Sequence, residues 1–216
     1  MHFFNRTSFR TLFKTLMSSL VSLLLLTAVP ASAENGLEPL DKYQWTYDTD
    51  PYGSEAIINE KLIRHSGIWI KFKRAPRIND TRNTWVELIH KIPAATLAGI
   101  SKIRLTYQCE IPLIVRLSQQ NYGKNVDKGG NNISPKFQFE LPATKQWVTK
   151  EIDLSEFSLP VAKHSNIDIA NTELTSVLAP EEIDAIYLIP SFTDKDGGEA
   201  IIQVRSIELL PSEKLP

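Results

Sequence analysis

The sequence predicts an all-β fold, an antiparallel β-sandwich or jelly roll. Three observations carry this expectation. Apolar and polar residues alternate with period two in several short runs, as on half-buried strands. Pro, Gly, Asn and Asp punctuate those runs at intervals of roughly 8–15 residues. No helical period extends beyond two turns.

Residues 1–33 stand apart. Arg6, Arg10 and Lys14 form a basic start, Leu16 to Val29 an apolar run, and Ala31-Ser32-Ala33 an A-x-A site. This order is that of a secretory signal peptide, and the apolar run is too short for a comfortable membrane span. The expected organisation is therefore a signal over 1–33 and a single β-sandwich domain over 34–216. The destination is periplasmic or secreted, with no membrane span after cleavage.

The remaining 183 residues hold 21 basic and 25 acidic side chains, a net charge of −4. That balance argues against a broad electrostatic grip on nucleic acid or anionic lipid. Cys109 is the only cysteine, so no intrachain disulfide forms and stability rests on the core.

The strand candidates follow in order. Tyr43 to Asp48 comes first, then Ala56 to Ile58 beyond the Asp50-Pro51-Tyr52-Gly53 turn. Ile68 to Lys73 places Ile68, Ile70 and Phe72 on one face and Trp69, Lys71 and Lys73 on the other. Trp85 to Ile92 ends at Pro93, and Ala94 to Ile100 suits one helical turn. Lys102 to Cys109 and Ile111 to Gln119 are the clearest strands, with a tight bend or bulge expected at Glu110. Gln120 to Ser134 is a long glycine-rich loop. Lys136 to Phe157 reads as strand, Pro142 turn, strand and capped turn. A helical turn near Pro180, an apolar strand from Ala185 to Pro190 and a last strand from Ala200 to Leu210 complete the chain, about nine strands in all.

The strand LIVRLSQ, the glycine-rich loop, the pattern W-x-x-x-x-I-D-L-S-x-F from Trp147, then IYLIP and VRSIEL, together resemble the galactose-binding-like β-sandwich. The likeness covers roughly Trp85 to Leu210. It is nearest to the carbohydrate-binding modules and the complex-I-intermediate-associated branch. The resemblance implies a fold shared by many functions, carbohydrate binding or an envelope protein partner among them. Such domains often carry two acids in the last strand, and there the resemblance implies a structural calcium. This chain has Arg205 and Ser206 at that place, so no cofactor is expected, with a structural calcium as the alternative.

The candidate ligand-binding residues are Trp69, Arg104, Gln108, Arg116 and Tyr122. Arg104 and Gln108 alternate outward on one strand and Arg116 on the next. If those strands are neighbours they form one platform of forked donors and amides, which suits saccharide hydroxyls. Trp69 offers an indole on a polar face, and Tyr122 sits in the loop among amides. Trp85, beside Glu87 and Lys91, has a weaker case of the same kind, and Trp147 is assigned to packing. A plain solvated sheet face accounts for the same pattern.

Catalysis has little support. There is no H-x-H, H-E-x-x-H or G-x-S-x-G. His90 falls on the core side of its strand, and Asp153 and Glu156 suit a strand end and a capped turn. Asp194 to Gly198 reads as a turn. The reading is a non-catalytic binding protein for carbohydrate. An envelope assembly module is the alternative, and a hydrolase or lyase the weakest reading.

Overall fold

The computed structural model describes residues 40, 44–77, 84–93, 96–119, 137–159, 177–193 and 195–212. The amino-terminal segment, the loop holding Tyr122, His164 and Asp194 lie outside the described residues.

Eleven strands form among the described residues, most of them where the alternation predicts them. They are β1 Gln44–Thr49, β2 Glu55–Ile57, β3 Ile63–Arg64, β4 Gly67–Arg74, β5 Val86–Lys91 and β6 Ile100–Cys109. They continue as β7 Leu113–Gln119, β8 Phe137–Leu141, β9 Thr144–Asp153, β10 Ile183–Pro190 and β11 Gly198–Pro211. The two-residue β3 is too short to leave a periodic signal. The turn expected after Pro93 forms as hydrogen-bonded turns, with Thr96 N–H on the Pro93 carbonyl and Ile100 N–H on that of Leu97. A 3₁₀ turn at Leu154–Glu156 follows β9, and the Asp153 N–H donates to Glu156 Oε1 at 3.1 Å. Another 3₁₀ turn, Pro180–Glu182, leads into β10 with proline at its start.

The strands build two antiparallel sheets. One runs β1-β5-β10-β7-β8, the other β2-β4-β11-β6-β9, with β3 paired to β4. Between them lies one apolar core that includes Ile70, Phe72, Leu88, Leu105, Tyr107, Leu117, Ile152, Leu188 and Ile202. Each supplies the core from the inward half of a period-two pattern, so the outward half of every strand is left for other contacts.

The chain changes sheet at most connections, and this corrects one expectation. The tight bend expected at Glu110 forms, but it does not set β6 and β7 side by side in one sheet. It carries the chain from β6 in the six-stranded sheet to β7 in the five-stranded one. Pro112 has no N–H for a ladder, and its carbonyl accepts from Ser191 N–H at 2.7 Å at the matching crossover after β10. The step at Pro142 does the same between β8 and β9, where the Pro142 carbonyl accepts from the Tyr107 hydroxyl at 2.9 Å.

Candidate functional site

The outward faces of the two sheets differ in chemistry. On the five-stranded sheet, Arg116 of β7 stands directly across from Tyr187 of β10 and Gln138 of β8. Tyr187 continues the row to Ile89 of β5, and Ile89 to Thr46 of β1. One side of this row holds Lys91, Ala185 and Ser118. The other holds Glu87 opposite Asp48, and Ile114 between Ile189 and Glu140. Trp85, two residues before Glu87 and on the same side of the chain, is 36% exposed at the end of this face.

The middle of the face is sheltered although it points away from the core. Ile89 and Ala185 are buried, and Tyr187, Arg116 and Ser118 are half-buried. Burial lowers the pKa of the Arg116 guanidinium, and the charge of Glu87 and the nearby Tyr187 oppose that shift. Arg116 joins none of the ion pairs among the described residues, and its buried Nε has no hydrogen-bond partner there. A forked donor on a sheltered face, between a phenol ring and an amide, engages adjacent oxygens of a polar ligand more strongly than it would in open water.

The backbone that holds Trp85 is fixed by a buried carboxylate. Asp50 accepts from Trp85 N–H at 2.8 Å, from Tyr52 N–H at 2.6 Å and from the Ser54 hydroxyl. Ser54 Oγ in turn accepts from Ala75 N–H at 2.9 Å. The Asp50-Pro51-Tyr52-Gly53 turn thereby ties the start of β5 to the end of β4.

The six-stranded sheet presents Trp69, Gln108 and Arg104. Trp69 of β4 faces Gln203 of β11, and Gln203 faces Gln108 of β6. Gln108 Nε2 donates to the Lys145 carbonyl at 2.8 Å. Arg104 is held between two acids: Nη2 lies 2.6 Å from Glu151 Oε1 and Nη1 3.0 Å from Glu208 Oε2. Its fork is therefore occupied by the protein's own carboxylates. Trp147, assigned to packing from the sequence, lies under the guanidinium of Arg205 at 4.3 Å.

The structure thus divides the residues expected to share one platform. Trp69, Arg104 and Gln108 lie on one sheet and Arg116 on the other, because β6 and β7 are not neighbours. Tyr122 lies outside the described residues. Sequence reasoning missed Tyr187 and Gln138, the direct neighbours of Arg116. Tyr187 was hidden inside the apolar run AIYLIP, although its place between Ile186 and Leu188 puts it on the opposite face by period two.

The groups weighed for catalysis have structural surroundings. His90 is fully buried and stacks on Trp45, with ring centroids 4.5 Å apart, and burial lowers its pKa to about 4. Asp153 and Glu156 are joined in the turn after β9. Among the described residues no group of three or more His, Cys, Asp or Glu is arranged to hold a metal ion. Nor is any helix there long and apolar enough to cross a membrane.

No family model matches the chain, and no curated protein matches it. Among solved structures it is similar to the family 11 carbohydrate-binding module of cellulosomal cellulase Lic26A-Cel5E of Clostridium thermocellum. The identity is 12% over 78% of this chain and 88% of that one, with a TM-score of 0.51. A Clostridium thermocellum family 11 module in complex with a β-1,3-1,4-mixed-linked tetrasaccharide gives the same TM-score and identity, over 78% and 89%. TmCBM61 in complex with β-1,4-galactotriose is more distant, with a TM-score of 0.35 at 14% identity over 78% and 88%. At these identities the likeness is one of fold: with the two family 11 modules the chain shares an antiparallel β-sandwich.

Proposed function

We propose that this chain is a non-catalytic carbohydrate-binding protein, exported to the periplasm or beyond, and that the outer face of its five-stranded sheet is the binding site. The observation that carries the reading is Arg116 set between Tyr187 and Gln138 on a sheltered face. The Tyr187 ring offers an apolar surface to a pyranose ring, and Arg116 and Gln138 supply donors for neighbouring hydroxyls. Glu87 and Asp48 add acceptors, and Trp85 extends the aromatic surface toward the end of the sheet. A saccharide is rich in paired hydroxyls on an apolar ring, and this combination of groups meets both features.

The fold shared with the family 11 modules makes a neutral β-linked glucan the first ligand to test. Isothermal titration with soluble mixed-linkage β-glucan is expected to show binding. Tyr187→Ala and Arg116→Gln are each expected to weaken it at least tenfold, about 1.4 kcal/mol or more, with the melting temperature little changed. Unaltered affinity in both variants removes the site from this face. Sequencing of the exported protein tests the export reading, with Glu34 expected as the first residue.

A further inference from the structure

The outer face of the six-stranded sheet holds a second row of groups suited to a ligand. Trp69, Gln203 and Gln108 stand in register across β4, β11 and β6. Trp147 lies at the far end on β9, on the same side as Thr149 and Glu151, which pair with Thr106 and Arg104. Three strand spacings separate the two indoles, roughly 14 Å.

Arg205 gives the row its chemistry. The register between β11 and β6 shifts between Val204 and Ser206, so Arg205 is the extra residue of a bulge. A bulge re-aims its side chain. Here the side chain crosses β6, and its guanidinium lies over the Trp147 ring. Two cations beside the row are paired: Lys71 with Glu199 at 2.7 Å, and Arg104 with Glu151 and Glu208. Arg205 is exposed and joins no ion pair among the described residues. Stacking uses the flat face of a guanidinium, whereas its five N–H donors lie in the plane and stay available at the edge. A planar fork held in place with its donors unspent suits bidentate pairing with a carboxylate. Beside it, the bond from Gln108 Nε2 to Lys145 fixes the amide and leaves Oε1 to accept from a hydroxyl.

We infer that this row is a second saccharide-binding strip, and that it takes an acidic polysaccharide, a chain of uronic acid rings laid across the strands. One ring packs on Trp69, hydroxyls meet Gln203 and Gln108, and a carboxylate enters the fork of Arg205, which Trp147 positions. The strip does not depend on the reading of the five-stranded face, because the two faces point to opposite sides of the sandwich.

Affinity electrophoresis of the full chain in gels containing polygalacturonate, or the same polymer fully methyl-esterified, tests this. The wild type is expected to bind the acid at least tenfold more tightly than the ester. Arg205→Gln and Trp69→Ala are each expected to lose about tenfold of the acid affinity. Arg205→Lys, which keeps the charge but not the fork, is expected to lose less, about threefold. Thermal melts confirm that each variant is folded. Equal binding of acid and ester, no retardation of the wild type, or an Arg205→Gln variant that is folded and binds the acid as well as the wild type would each overturn the inference. Binding of neutral β-glucan reports on the other sheet, so failure there leaves these outcomes as they stand.

Discussion

His90 sits directly opposite Trp45, and the two rings stack on the core side of β5. Burial holds the imidazole neutral, with a pKa of about 4 against an ordinary 6.5. As pH falls below 6.5 the unfolded chain takes a proton that the folded chain refuses, so stability drops until pH reaches about 4 and then levels for this group. The loss is about 3 kcal/mol. The melting temperature of the wild type is expected to fall more steeply between pH 7 and 4 than that of His90→Gln, and parallel curves would show that His90 titrates normally in the fold. Asp50 is a second buried polar residue with a large expected effect. Replacing it with alanine strands the N–H groups of Trp85 and Tyr52 and the Ser54 hydroxyl. Asp50→Ala is expected to cost about 2–4 kcal/mol in urea unfolding. Because Asp50 also anchors the backbone of Trp85, the variant is expected to weaken glucan binding as well.

At the scale of the element, the turn from β3 into β4 is set by a close approach. Gly67 has φ +113°, and a Cβ there meets the Val204 carbonyl oxygen of β11 at 2.2 Å. Gly67→Ala is expected to destabilise the protein by more than about 2 kcal/mol, since either β4 shifts away from β11 or the glycine conformation is lost. The ion pairs across β11, β6 and β9 have the opposite weight. Arg104 and Glu151 are exposed enough for solvent to screen them, and hydrogen bonding to Arg104 lowers the Glu151 pKa. Arg104→Ala is expected to leave the urea unfolding midpoint nearly unchanged. A clear drop would mean that this ladder fixes the register of β9, the outer strand on that side.

For the molecule as a whole, the two sheets share one core, to which β10 and β11 bring Leu188 and Ile202, both fully buried. Leu188→Ala and Ile202→Ala are each expected to cost about 3 kcal/mol. Both are expected to lower one common transition, followed by tryptophan fluorescence and far-ultraviolet circular dichroism. Separate transitions for the two probes would show that unfolding is not two-state. Tyr187→Ala, on an outward face, is expected to change binding without this loss.

The sequence by itself determined most of the strands and, where apolar and polar residues alternate, which half of each enters the core. Period two is a local property: Ile68, Ile70 and Phe72, or Leu113, Val115 and Leu117, declare their face within seven residues. It also placed Arg116, Trp69 and His90 on the correct side of their strands. It did not determine which strands lie side by side. Antiparallel pairing joins segments as far apart as Gly198–Val204 and Ile68–Arg74, and no local pattern encodes that partner. For that reason Arg116 was grouped with Arg104 and Gln108 across a connection that proved to change sheets, and Tyr187 and Gln138 went unnoticed. The tertiary structure alone decided that Arg104 spends its charge on Glu151 and Glu208, that Arg205 rests on Trp147, and that the face around Arg116 is sheltered. Each depends on the register between strands distant in the chain, which the collective packing of the core selects.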